Sequence, residues 1–170
     1  MSRERTLMTN IIAILLSALL LCLPARAAEL PGKVIGVTDG DTVKILIAGH
    51  KQERIRLAGI DAPERRQPYG QKSRQHLSNM IFGRQVVVVW KKRDRYKRII
   101  GKIVLDEKTD VGLEQIKAGL AWHYKAYQKD QSGDDRQTYA DAELRARDKR
   151  AGLWSDANPV APWAWRRNGK

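Results

Sequence analysis

Three short stretches of this chain bring carboxylates and guanidinium groups close together. They are Asp39-Gly40-Asp41-Thr42, Arg56-Leu57-Ala58-Gly59-Ile60-Asp61-Ala62-Pro63-Glu64, and Arg93-Asp94-Arg95-Tyr96-Lys97-Arg98. Two aspartates such as Asp41 and Asp61, brought side by side by a fold, repel unless a cation or a shared proton relieves them. The clusters hold neither His nor Cys, so the donor set suits oxygen-only coordination of a hard cation. Glu64 adds a carboxylate able to accept a proton from a nearby water. Arg56 and Arg98 add planar forks that can hold two phosphate oxygens and offset negative charge growing on an in-line transition state. Each group also has a plainer use. Asp39 and Asp41 are common turn residues, Glu64-Arg65-Arg66 could be a solvated charge run, and surface arginine pairs contribute only ~0–1 kcal/mol each.

The elements that must position these groups read as mainly β. From Lys33 to Leu57 the apolar residues alternate, with Val34, Ile35 and Val37, then Val43, Ile45 and Ile47, then Ile55 and Leu57; this period of two predicts three strands. Asp39-Gly40 has the composition of a tight positive-φ hairpin turn, and Gly49-His50 turns the second strand into the third. Asp41 then follows a turn and Asp61 ends the third strand. Alternation sends Arg56 to the face opposite Ile55 and Leu57, and Pro63 biases Ala62 toward an extended backbone, which helps fix its carbonyl. Residues 70–82 predict a helix with Leu77, Met80 and Ile81 on its buried face and Gly83 as its stop. Strands resume at Val86–Trp90 and Ile99–Leu105. The valine run is apolar on both faces, which implies a barrel interior on one side and a covering helix on the other. Helices are expected at 111–118 and 135–150. The result is an α+β, mainly β chain: a five-stranded OB-type barrel with a helix between strands three and four, and C-terminal helices.

The N-terminus has its own logic. Arg3 and Arg5 precede the apolar run Ile11–Leu23 and then Pro24-Ala25-Arg26-Ala27, the order of a secretory signal peptide. The run falls short of the roughly 20 residues that span a bilayer. We therefore expect residues 1–27 to be a signal peptide, 28–156 the domain, and 157–170 a tail containing Trp163, Trp165, Arg166 and Arg167, with export to the periplasm or medium. The single cysteine, Cys22, would leave with the signal, which excludes disulfides, thiolate catalysis and zinc–cysteine sites in the remainder. The formal net charge is +13, and losing Arg3, Arg5, Arg26 and Glu4 lowers it by only two. Such a basic surface favours a polyanionic partner, because lysines and arginines at phosphates release condensed counterions.

In their order and content, the motifs D-G-D-T, R-L-x-G-I-D-x-P-E and D-R-Y-x-R make the chain resemble the staphylococcal nuclease (thermonuclease) family from Val34 to about Trp154. That resemblance implies Ca²⁺ held by Asp41, Asp61 and the Ala62 carbonyl. It also implies Glu64 at the attacking water, Arg56 and Arg98 as catalytic arginines, and Arg95, Tyr96 and Tyr127 lining a nucleotide pocket. The implied reaction is hydrolysis of DNA and RNA by a monomer, leaving 3′-phosphate ends. Three departures are visible: Ala62 stands where Thr is frequent, Lys97 replaces a glycine before Arg98, and Lys125, with Tyr124 beside it, stands where some relatives carry a tyrosine. Two rival readings remain at this level: a non-catalytic nucleic-acid-binding barrel and a basic envelope protein. His123 has no partner at metal spacing and reads as packing, as do Trp163 and Trp165.

Overall fold

The computed structural model describes residues 28–169; the expected signal peptide lies outside them. Strands β1 (Ala28–Val37), β2 (Thr42–Leu46) and β3 (Gln52–Leu57) run antiparallel in succession. β4 (Ile60–Asp61) follows, then helix α1 (Gly70–Ile81), then β5 (Gln85–Arg93), β6 (Ile99–Leu105) and β7 (Thr109–Asp110). Helix α2 (Val111–Lys117), strand β8 (Trp122–His123), helix α3 (Gly133–Asp148) and helix α4 (Pro162–Asn168) complete the order. β1 pairs with both β2 and β5, β5 pairs with β6, and a parallel β3–β6 pairing closes the ring, Ile55 opposite Ile99. The expected OB-type barrel of five strands, with its helix between the third and fourth, is present.

Alternation explains the barrel interior. Val34, Val43, Ile45, Ile55, Leu57, Val88, Ile99 and Ile103 are all buried, while Lys44, Arg54 and Gln52 between them face solvent. Helix α1 seals one end with Leu77 and Ile81, and Gly83 at φ 78° ends it as expected. Burying one such aliphatic side chain contributes ~1.5–3 kcal/mol, so these residues set the frame on which the polar groups hang.

Four local readings need correction. Asp61 does not end the third strand: β3 stops at Leu57, and Asp61 lies in the separate strand β4, paired with Trp122. β1 begins at Ala28 rather than Lys33, because residues 28–33 pair residue for residue with Trp90 back to Gln85; a partner strand supplies what Glu29-Leu30-Pro31-Gly32 lacks in pattern. Val87 and Val89 are half-buried, whereas Val86 and Val88 are buried, so the outer valine face is not sealed as the inner one is. Gly40 is not in the positive-φ region. The β1–β2 turn is closed by Thr38 N–H donating to the Thr42 carbonyl at 2.8 Å, and Asp39 Oδ1 accepts from the Asp41 N–H at 3.1 Å. Gly40 is small for another reason: an added Cβ would lie 2.7 Å from the Ala62 Cβ and 2.8 Å from the Ser73 Cβ.

Candidate active site

At one mouth of the barrel the β2–β3 ladder sets Thr42 opposite Arg56, so Asp41 comes to lie beside that arginine. Arg56 then acts as a four-way clasp. Its Nη1 donates to the carbonyls of Leu57 and Ile60, both at 2.9 Å; its Nη2 donates to Asp61 Oδ1 at 2.9 Å and lies 3.1 Å from Asp41 Oδ2. Both aspartates are buried, Asp61 at 1% exposure. Charges this far from water are costly unless paired and hydrogen-bonded, and Arg56 supplies the pairing. Asp41 also accepts from Thr42 Oγ1 at 3.0 Å and from the Ala62 N–H at 2.8 Å, which ties the two sequence motifs together.

Burial pushes the Asp61 carboxyl above its ordinary range, opposed by the Arg166 hydrogen bond and the Arg56 charge. Burial and then the charge of Asp41 push Asp39 up to about 7. The donors are all oxygens.

Glu64 lies just past β4, in the loop leading to α1, with its N–H donating to Gln67 Oε1 at 3.0 Å and its carboxylate 40% exposed. It meets Asp61 through a residue that the motifs did not include. Arg166, on α4, donates from Nη2 to Asp61 Oδ2 at 2.8 Å, and from Nη1 to Asp61 Oδ1 at 3.2 Å and to Glu64 Oε1 at 2.8 Å. The only signal of it in the sequence was the unassigned Trp/Arg tail.

Arg98 is not joined to this knot. Its Nε donates to Asp94 Oδ2 at 2.8 Å and its N–H to Asp94 Oδ1 at 2.9 Å. Burial would raise the Asp94 carboxyl, but these Arg98 hydrogen bonds outweigh it and the net shift is downward. The parallel register places Ile99 beside Ile55, so Arg98 enters β6 near the exposed Arg54 end of β3. Lys97, which stands where the family has glycine, adopts a left-handed, glycine-like geometry at φ 62°. The turn is closed by its N–H to the Asp94 carbonyl at 3.0 Å. Arg95 stacks on Tyr96 at 4.8 Å, and Arg98 lies 5.5 Å from the same ring. Tyr96 and Tyr127 are more than half exposed, although Tyr96 already carries Arg95 and Tyr127 lies 5.0 Å from the Tyr124 ring.

On the far side of β4, Trp122, Tyr124, Lys125, Arg147 and Trp163 line a cleft of about 600 Å³. Trp163 stacks on Tyr124 at 5.3 Å and meets Trp122 edge-on at 5.5 Å, the docking expected of the tail. His123 is buried, bonded through Nε2 to Gln131 Oε1 at 3.0 Å, with burial lowering its pKa; it packs, as its lack of a metal-spaced partner implied.

Among the described residues no three His, Cys, Asp or Glu side chains stand in metal-holding geometry. Asp41 and Asp61 are nonetheless gathered around one guanidinium, and a second guanidinium sits on Asp61 and Glu64. The pocket already draws positive charge, and its oxygen donors fit a hard divalent cation.

Acidic oxygens crossed by arginines at the mouth of an OB-type barrel are the class of arrangement that suits phosphate chemistry. The sequence profile described as "Staphylococcal nuclease homologue" matches residues 54–156. An uncharacterized endonuclease of Haemophilus influenzae is 41% identical over 138 residues, covering 81% of this chain and 74% of its own length. A second, from Escherichia coli, is 39% identical over 143 residues, covering 84% and 89%. A micrococcal nuclease of Shigella flexneri is 38% identical over 160 residues, covering 89% and 88%. The chain belongs to the staphylococcal nuclease family, and its relatives support a nuclease hydrolase.

Proposed function

We propose that this nuclease is an exported, calcium-dependent enzyme that hydrolyses DNA and RNA with little sequence preference, leaves 3′-phosphate ends, and acts as a monomer. One observation carries the reading: two buried aspartates clasped by a single arginine, with a half-exposed glutamate at the same mouth. A structural ion pair needs one carboxylate per guanidinium. Three carboxylates, Asp41, Asp61 and Glu64, here meet two guanidinium groups, Arg56 and Arg166, and the formal negative charge left over favours a divalent cation.

Asp41, Asp61 and the Ala62 carbonyl are the groups that would hold calcium, which when bound supplies charge neutralisation and polarises a substrate phosphate. Glu64, the most accessible of the three acids, accepts the proton of the attacking water or orients it. Arg56 keeps the aspartates at fixed separation through four acceptors, and its Nε–H, which makes no hydrogen bond among the described residues, is available to a phosphate oxygen. Arg98, pre-aimed by Asp94, meets the same phosphate from β6 as substrate enters. Tyr96 and Tyr127 stack on bases, a contact indifferent to base identity.

Purified residues 28–170 would be incubated with single- and double-stranded DNA and RNA, in calcium and in chelator, with end-group analysis of products. Calcium-dependent fragments ending in 3′-phosphate support the reading. Mobility shifts without cleavage would make the domain a binding module, and neither cleavage nor shifts would favour the envelope role.

A further inference from the structure

Arg166 occupies Asp61 and Glu64 in a way that none of the family motifs requires. Its fork takes both oxygens of Asp61, whose exposure is 1%, and one oxygen of Glu64. These are two of the groups that the calcium reading needs free. Counting formal charges, Asp41, Asp61 and Glu64 contribute three negatives, and Arg56 and Arg166 two positives. The formal charge is thus −1 with the tail docked, and −2 without Arg166.

The docking is built rather than incidental. Trp163, three residues earlier on α4, is stacked on Tyr124 and set edge-on to Trp122. Trp122 is the β-bridge partner of Asp61, so the aromatic anchor and the ion pair sit on one two-stranded ladder. Ahead of the helix, Gln67 Nε2 donates to the Val160 carbonyl at 2.6 Å, tying the approach to α4 to the loop that carries Glu64. Pro162 is buried, while the Arg166 side chain stays 43% exposed. The helix is seated by Trp163, and the Arg166 side chain is held by its guanidinium alone, so exchanging those three hydrogen bonds for a cation leaves the core packing untouched.

We propose that Arg166 is a resident cation of the active site, delivered by α4, which a divalent cation must displace from Asp61 and Glu64 before the nuclease can act. The C-terminal helix thereby sets the cation concentration at which the enzyme switches on. Bound to the same carboxylate oxygens, a guanidinium and a divalent ion exclude each other by charge and by space, so their occupancies are linked. This inference rests on the calcium reading above.

Calcium affinity tests it directly, measured by isothermal titration on the full chain without its signal segment, for wild type, Arg166→Gln and Trp163→Ala. If the tail is docked about nine-tenths of the time, removing its charge tightens calcium binding roughly tenfold. Trp163→Ala, which loosens the anchor while keeping the charge, moves affinity the same way by less. Calcium should also change tryptophan emission in wild type, because Trp163 and Trp165 lie on the same short helix as Arg166, and should do so less in Arg166→Gln. Thermal melts of each variant confirm folding. Equal affinity in wild type and Arg166→Gln overturns the proposal, as does weaker binding in Arg166→Gln, which would make the residue part of the cation's support. Calcium bound by none of the proteins, with cleavage persisting in chelator, removes the calcium reading and this inference together. Calcium bound equally by all three, with calcium-dependent cleavage intact, removes only the inference.

Discussion

Gly40 offers the sharpest test of how the site is held. Its neighbours leave no room: a Cβ there would meet Ser73 Oγ at 1.9 Å, the Ala62 Cβ at 2.7 Å and the Ser73 Cβ at 2.8 Å. Rotating the serine relieves the first clash and leaves the other two. It also breaks the hydrogen bond from Ser73 Oγ to the Leu120 carbonyl at 2.7 Å. The Gly40 carbonyl itself accepts from Gln115 Nε2 at 2.7 Å, and that amide also donates to the Ser73 carbonyl at 3.1 Å. Gly40→Ala must therefore push the β1–β2 turn away from α1 and the Ala62 segment, and disturb the Gln115 contact from α2. Overpacking costs ~1–3 kcal/mol and a broken buried hydrogen bond ~1–3 kcal/mol. About 3 kcal/mol in total is a reasonable expectation, a melting-temperature fall of roughly 10 °C in a domain of this size.

The assay pairs thermal denaturation with cleavage kinetics on Gly40→Ala and Gly40→Asn. If Gly40 served a positive-φ turn, Asn would be the better replacement, because it tolerates that region. If packing is the constraint, the larger Asn is the worse of the two. Cleavage should fall with stability, because the displaced segment carries Asp41 and the Ala62 N–H that binds it. An alanine variant melting within about 2 °C of wild type, or an asparagine variant more stable than the alanine one, would refute the packing argument.

Arg56→Lys keeps the charge but cannot span the carbonyls of Leu57 and Ile60 and both aspartates; kcat/KM should fall at least ~100-fold, and unchanged turnover would remove Arg56 from the mechanism. Lys97→Gly should stabilise the protein by ~0.5–1 kcal/mol in denaturant melts, because an L-residue at φ 62° is strained by ~1–2 kcal/mol and glycine returns only part of that as backbone entropy; Lys97→Ala should give no such gain. Hydrogen bonds from Arg93 and then Lys51 lower Glu53 from 4.5 to about 2. A depressed carboxyl stabilises the fold above its unfolded value and loses that contribution as pH falls from about 4.5 through about 2. The covering Lys51 and Arg93 side chains are 66% and 37% exposed, so solvent screening leaves only ~1 kcal/mol. Glu53→Gln should accordingly flatten the acid limb of the melting-temperature curve between pH 5 and 2.5, as read by circular dichroism.

What the sequence made legible follows the range of the interactions involved. Alternation at Val43, Ile45, Ile55 and Leu57 is local, and it placed the strands around them and set Arg56 on the face opposite Ile55 and Leu57. Helix α1 carried both its apolar spacing and its Gly83 stop, so its limits were readable within a residue. Asp39-Gly40 misled because the same dipeptide serves two physical ends: a positive-φ turn is encoded locally, whereas Gly40's real constraint comes from Ser73 and Ala62, more than twenty residues away. The early start of β1 was hidden for a related reason, since Ala28–Lys33 is extended by its pairing with β5 rather than by its own composition. Arg166 is the extreme case. It reaches Asp61 across 105 positions, and no period or motif relates them. Its recognition needed two things that only the folded chain supplies: the aromatic seat for Trp163, and a buried carboxylate with a free edge one strand away. A charged residue on an aromatic tail is indistinguishable in sequence from a solvated one. The fold distinguishes them by bringing Trp122, the residue that seats the tail, into register with Asp61, the residue that receives its charge.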